Sequence, residues 1–111
     1  MLNQIVLVGR LVKDVEVKEL ESGKRVANAV LAVPRSFKNE NGEYDTDFID
    51  VILWNGVAEN TAEYCRKGDL IGIKGRLETN DSINENGEVR NYTQVVAEKV
   101  TFLSSNKKES E

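Results

Sequence analysis

Three aromatic side chains lie beside cationic residues in a part of the chain where apolar and polar positions alternate. Phe37 is flanked by Arg35 and Lys38, and Phe48 and Trp54 follow in the next apolar segment. Aromatic rings can stack on nucleobases, while neighbouring Lys and Arg side chains can hold phosphates. These residue types in this pattern therefore fit the binding of an unpaired nucleic-acid strand.

The alternation in residues 46–54 predicts which way these rings point. Successive residues of a strand project to opposite faces of a sheet. One face of this strand is aliphatic and can supply a core, which leaves Phe48 and Trp54 on the opposite face. The aliphatic face consists of Ile49, Val51 and Leu53. Large aromatics can also fill a second core or a subunit interface, and the alternation by itself leaves that alternative open.

The length and composition of the chain predict one cytoplasmic domain. A chain of 111 residues fits a single domain. No apolar run approaches the roughly 20 residues of a membrane span, and the N-terminus has no signal-peptide pattern. Cys65 is the only cysteine, which excludes an internal disulfide and suits a reducing compartment. We expect residues 1–103 to form the domain and residues 104–111 to be a short, disordered, charged tail.

The net charge of −4 argues against nucleic acid as a ligand, but its distribution weakens that argument. Residues 39–64 carry seven acidic side chains and no Lys or Arg. The cations are concentrated on the predicted strands instead. Phosphate affinity depends on the charge of the local face rather than on the total.

Period-two patterns predict five strands, and one helix lies between the third and fourth of them. The predicted strands cover residues 2–12, 25–37, 46–54, 69–79 and 91–103, with a short extended continuation of the first at residues 15–20. This order predicts an all-β protein with an OB-fold, a five-stranded Greek-key barrel with one short helix between strands 3 and 4.

Turn and cap signals set the remaining boundaries. The helix is predicted over residues 57–67, with Asn55 as its N-terminal cap and Gly68 at its left-handed end. Two polar segments that contain Asn-Gly pairs, residues 38–45 and 80–88, are predicted to be hairpin tips.

The chain lacks the residues that common catalytic sites need. It has no histidine and a single cysteine, so a Cys/His zinc site or a histidine-activated nucleophile cannot be built. It has no phosphate-binding glycine motif. Asp45, Asp47 and Asp50 lack the glycine and the distal glutamate of a calcium loop. These observations predict a binding protein that is not an enzyme and has no metal or cofactor.

The order of several short motifs resembles the family of bacterial-type single-stranded DNA-binding proteins. The resemblance covers about residues 2–103, and it is the combination of motifs that is specific. The matching segments are residues 3–11, 14–18, 29–33, 35–37, 47–54, 58–60, 64–68 and 73–77.

The resemblance implies a homotetramer, built as a dimer of dimers, that binds single-stranded DNA without strong sequence preference and has no cofactor. Such a protein protects single strands in replication, recombination, repair or DNA uptake, in the cytoplasm at the nucleoid or at replication forks, with no membrane contact. The family's base-stacking aromatics fall on Phe37, Phe48 and Trp54. For phosphate contacts we favour Arg35, Lys38, Lys74 and Arg76, with Lys18, Arg66 and Arg90 as weaker candidates.

The chain departs from the family pattern at three functional points. The aromatic that the family carries in the hairpin after the fourth strand is replaced by the polar residues 80–82, so that stacking site is expected to be lost. Asp50 lies between two stacking rings. Residues 107–111 show no acidic tip that ends in proline and phenylalanine, so we expect no recruitment of replication or repair enzymes through such a tip. These departures keep open an alternative, an OB-fold scaffold that acts mainly through protein contacts.

Overall fold

The computed structural model describes residues 2–105, which form six strands and one helix. The elements in chain order are β1 (Ile5–Leu11), β2 (Val17–Glu19), β3 (Arg25–Lys38), β4 (Tyr44–Trp54), α1 (Asn55–Tyr64), β5 (Leu70–Ile83) and β6 (Val89–Ser104). The part of the predicted tail from residue 106 onward lies outside the described residues. Among the described residues, no helix is long and apolar enough to cross a membrane.

Five of the strands close into a barrel. The sheet runs β1-β5-β6-β4-β3-β2, and a second pairing of β1 with β3 joins its ends. β4 and β6 pair in parallel, and the other neighbours are antiparallel. This closed barrel, with α1 between β4 and β5, is an OB-fold. The predicted fold class is confirmed, because β2 is only a short strand at the edge of β3.

The core lies inside the barrel and comes from alternate positions of each strand. Leu31, Leu53 and Ile71 are fully buried there. Gly75 is buried where β5 shifts register against β6, and a side chain at this position would overlap the carbonyl oxygen of Val96. The glycine therefore lets the two backbones approach each other at the place where the hairpin leaves the barrel.

The helix starts and ends differently from the prediction. α1 ends at Tyr64, and the predicted cap Asn55 is its first residue, with a φ of 50°. The prediction of Asn55 as a side-chain cap is wrong, because its Oδ1 accepts a hydrogen bond from the Arg25 backbone N–H instead. The prediction of Gly68 as the left-handed end of the helix is also wrong, because the cap after Tyr64 is Cys65 in an extended conformation. Gly68, with a φ of 91°, lies in the turn that follows, and its N–H donates to the carbonyl of Leu11.

Two hairpins extend past the barrel as arms. The first arm comprises residues 34–48 of β3 and β4, and the second arm comprises residues 78–94 of β5 and β6. The prediction of a hairpin tip over residues 80–88 is wrong, because strand pairing continues to Ile83 and Val89. The polar sequence there indicated a loop, but both faces of a projecting arm meet water, so polar residues are tolerated within its strands.

The same five-residue sequence, Asn-Glu-Asn-Gly-Glu, closes both arms, at residues 39–43 and 84–88. In each turn the first Asn side chain, Asn39 or Asn84, accepts hydrogen bonds from the backbone N–H groups two and four residues later. The glycines of the two turns have φ values of 79° and 80°. The local sequence therefore specifies one turn geometry twice.

Candidate nucleic-acid interface

The register of β3 and β4 fixes which side chains share the outside of the barrel. Phe48 lies opposite Ala32, and Trp54 lies opposite Val26. Residues directly opposite on paired strands project from the same face. Leu53, which directly precedes Trp54 on β4, is fully buried in the core. Because neighbouring strand residues project to opposite faces, Trp54 and Phe48 and the residues opposite them face outward. We call this side of the barrel strands and their arms the outer face.

The predicted stacking rings are exposed to different degrees. Phe37 is 73% exposed and Phe48 is 67% exposed, whereas Leu53 in the same sheet has no exposed surface. Trp54 is half-buried. Phe37 lies on the first arm, where the register shifts between Pro34 and Lys38. The structure therefore leaves ring surface accessible at all three positions, while their stacking role stays a prediction.

Two rows of paired residues place cations beside these rings. Lys18 lies opposite Val26, which is itself opposite Trp54. Arg10 lies opposite Ala32, which is itself opposite Phe48. Lys18 was predicted as a weaker phosphate contact.

Arg10 was missed by the sequence interpretation. The signal was present, because Arg10 continues the alternation that puts Val6 and Val8 on the outside of β1. Its guanidinium Nη1 donates to the carbonyl of Gly68 at 3.0 Å.

The predicted phosphate contact Arg35 is held by a carboxylate. Its Nη2 lies 2.9 Å from Oδ1 of Asp47, and Nε makes further hydrogen bonds to the same group. The hydrogen bond to Arg35 lowers the pKa of Asp47, and the same bond raises the pKa of Arg35. A phosphate that binds Arg35 must therefore displace the Asp47 carboxylate or share the Arg35 guanidinium with it.

Arg76 is held in the same manner, whereas Lys74 is not. The guanidinium of Arg76 donates to Glu78 at 2.5 Å and to Glu98 at 3.1 Å, and these hydrogen bonds raise the pKa of Arg76. Lys74 is exposed and belongs to none of the ion pairs found within residues 2–105. The two cations share one face of β5, as predicted, because the intervening Gly75 is buried.

The end of the first arm carries an aromatic that the sequence interpretation placed in a turn. Nζ of Lys38 lies 5.9 Å from the centroid of the Tyr44 ring, within reach of a cation–π contact. The two residues are opposite each other on β3 and β4, and Tyr44 is exposed. Tyr44 was missed because the predicted tip at residues 38–45 was longer than the actual turn.

The two remaining weaker candidates differ in their surroundings. Nη1 of Arg66 donates to the carbonyls of Ala62, Glu63 and Cys65, which places its charge at the C-terminal end of α1. Arg90 is exposed on the second arm and lies opposite Ser82. Arg90 has no ion-pair partner among residues 2–105 and can therefore turn toward a ligand, whereas Arg66 first has to leave the helix end.

Comparison with known proteins identifies the class that this barrel and its aromatic outer face represent. The sequence profile of the Single-strand binding protein family matches residues 2–103. The chain therefore belongs to the single-strand binding protein family, as the order of motifs indicated. The prediction that it is not an enzyme is confirmed, because the family is one of single-strand binding proteins and the matching relatives are single-stranded DNA-binding proteins.

Individual relatives match over nearly the whole chain. Single-stranded DNA-binding protein B of Bacillus subtilis is 45% identical over 109 residues, which cover 98% of this chain and 96% of that protein. The single-stranded DNA-binding protein of Streptococcus mutans is 44% identical over 105 residues, which cover 95% of this chain and 64% of that protein. Single-stranded DNA-binding protein 3 of Streptococcus agalactiae is 46% identical over 105 residues, 76% of its length.

Proposed function

We propose that this protein binds single-stranded DNA without strong sequence preference, by stacking bases on Phe37, Phe48 and Trp54. The observation that carries the proposal is the contrast between the two faces of β4, which buries Leu53 completely and leaves Phe48 67% exposed. An exposed ring can be removed from water by stacking on a base, whereas a buried ring is already removed from water by its contacts in the core. Stacking on an aromatic contributes about 1–3 kcal/mol per base and tolerates any sequence.

The cations complete the mechanism by following the phosphate backbone. Lys74 and Lys18 are exposed without ion-pair partners among residues 2–105, so they can contact phosphates at little cost. Arg35 and Arg76 must first exchange a carboxylate for a phosphate. We therefore expect stacking to contribute more to the affinity than charge does, and the salt dependence to be modest.

In the cell, such a protein would coat and protect single strands during replication, recombination, repair or DNA uptake, in the cytoplasm. Residues 1–103 would form one domain and assemble as a dimer of dimers. The outward side chains of Val6 and Val8 on β1 are exposed and apolar, which supports a subunit contact there. Light scattering at several protein concentrations checks the assembly, for which we expect the mass of four chains.

A second candidate function is an OB-fold scaffold that acts through protein contacts. The neutralised arginines favour it, because carboxylates occupy positions where phosphates would bind. A pull-down with residues 1–111 tests for partners. We expect these residues to capture no replication or repair enzyme, because they show no acidic tip. Capture of such an enzyme would mean that recruitment uses the folded domain, as the scaffold requires.

Quenching of Trp54 fluorescence separates the two functions. Trp54 is the only tryptophan, so the signal reports one position. Oligothymidylate should quench it strongly at low and moderate salt, whereas duplex DNA of the same length should not. Little quenching, or equal binding of the duplex that disappears in moderate salt, would contradict the stacking mechanism and favour the scaffold.

A further inference from the structure

Tyr92 is an exposed aromatic on the second arm that no part of the proposed mechanism uses. It lies directly opposite Asn80, within the segment where the sequence indicated that a stacking site is lost. Its side chain is 48% exposed. None of the hydrogen bonds or cation–ring contacts found within residues 2–105 involves this side chain. The ring surface is therefore available to a ligand.

The strand register places Tyr92 on the outer face. Ile52 of β4 precedes the buried Leu53, so it faces outward, as Phe48 does four residues earlier on the same strand. Val96 of β6 lies opposite Ile52. Pairing between β5 and β6 keeps one register from Val89 to Ala97. Tyr92 is four residues from Val96, so it projects from the same face as Val96, Ile52 and Phe48.

The parallel pairing of β4 and β6 also fixes the direction in which Tyr92 lies. Phe48 is four residues before Ile52 on β4, and Tyr92 is four residues before Val96 on β6. At about 3.3 Å per residue, each ring is roughly 13 Å along its strand from the paired residues. Phe48 and Tyr92 therefore lie on the same side of the paired residues, at equal residue spacing, on two neighbouring arms that leave the barrel in one direction.

A cation accompanies Tyr92 as cations accompany the aromatics of the first arm. Arg90 is two residues away on the same face of β6 and is exposed. It takes part in none of the ion pairs found in the part of the chain that the structure describes. A ring and a free guanidinium at this spacing can hold a base and an adjacent phosphate.

We propose that Tyr92, with Arg90 beside it, is a second-arm stacking site for an unpaired nucleobase of the same DNA strand that Phe48 contacts. This inference rests on the proposed function and extends it across both arms. The lost aromatic of residues 80–82 is thereby compensated from the opposite strand of the hairpin. A flexible single strand can bridge the gap between the arms, whereas a stiff duplex cannot follow both.

The test compares five single variants with the wild-type protein by fluorescence anisotropy of a long, labelled oligothymidylate, and Phe48→Ala is the positive control among them. Tyr92→Ala removes the ring, Tyr92→Leu keeps apolar volume without a ring, and Tyr92→Phe restores the ring without the hydroxyl. Ile83→Ala is the matched control, because Ile83 is an exposed residue of the same arm on the opposite face.

Tyr92→Ala and Tyr92→Leu should weaken binding about 5-fold or more, whereas Tyr92→Phe and Ile83→Ala should bind like the wild type. Melting temperatures should remain unchanged, because the ring is not part of the core. If both ring-removing variants bind like the wild type while Phe48→Ala does not, the second-arm site is wrong and the proposed function stands. If the wild type itself does not bind oligothymidylate, the proposed function fails and the second-arm site fails with it.

Discussion

The first and second arms leave the barrel in the same direction and end in identical five-residue turns, but they present different surfaces. The first arm carries Phe37, Tyr44 and Phe48 as exposed aromatics, with Arg35 held by a carboxylate. The second arm is mainly polar and carries Tyr92 with an exposed Arg90. Identical turns show that the turn sequence specifies the geometry of the arm end, whereas the residues along the strands specify what the arm can bind.

This difference suggests a division of tasks between the arms. The first arm offers several rings in succession and therefore should dominate base stacking. The second arm offers one ring and a cation, Arg90, that has no ion-pair partner among residues 2–105, so it should contribute less affinity and more salt dependence. Both tasks require that the arms are held in a fixed relation by the barrel from which they project.

The largest expected effect comes from breaking the base of the second arm. Gly75→Ala should lower the free energy of unfolding by roughly 3 kcal/mol, because the new methyl group would overlap the backbone carbonyl of Val96. Urea unfolding measures this loss. Gly72→Ala on the same strand is the matched control, since its Cβ would meet no heavy atom closer than 3.7 Å. Equal stability of the two variants would contradict the close approach at Gly75.

The next largest effect is the loss of DNA affinity when an aromatic ring is removed from the first arm or from the adjoining sheet. Phe48→Ala and Trp54→Ala should each weaken oligothymidylate binding roughly 5- to 150-fold while leaving the oligomeric state intact. Tyr64→Ala is the control, because Tyr64 is 68% exposed, close to the 67% of Phe48, but lies on α1 rather than on the strands that carry the predicted rings. Weakening by Tyr64→Ala alone would place the binding surface on the helix instead.

A smaller effect is the change in salt dependence, which should differ between Lys74, which has no ion-pair partner among residues 2–105, and Arg76, which is paired with carboxylates. Lys74→Ala should reduce the slope of log affinity against log salt concentration by about 0.7, the value for one phosphate contact on a single strand. Arg76→Ala should change the slope much less, because Glu78 and Glu98 already neutralise that charge. Binding measured at several salt concentrations gives both slopes, and similar changes for the two variants would show that DNA displaces the carboxylates.

The smallest effect is the pH dependence of the ion pair in the first arm. Because Arg35 lowers the pKa of Asp47, the pair contributes stability above the ordinary aspartate pKa of about 3.9, and this contribution is lost as the pH falls through the lowered value. A carbon-13 titration of the carboxyl group should give a low midpoint that rises in Arg35→Gln. A midpoint unaffected by that substitution would mean that Arg35 and Asp47 are not paired in solution.

The sequence predicted the barrel and its faces well because those depend on period-two alternation. Phe48 and Trp54 could be assigned to the outside from the alternation of their own strand. The arm lengths could not be predicted, because the polar residues 80–82 are equally suited to a loop and to a strand that meets water on both sides. The pair of Arg35 and Asp47 depends on the register between β3 and β4, which no local pattern reveals.

Side-chain nuclear magnetic resonance during an oligothymidylate titration tests the central claim, that the outer faces of both arms bind one strand. The carbon–hydrogen resonances of the Phe48, Trp54 and Tyr92 rings should shift together as bases stack on them. The ring resonances of Tyr64 on α1 should stay in place. Shifts at Tyr64 with none at the three outer-face rings would contradict the account.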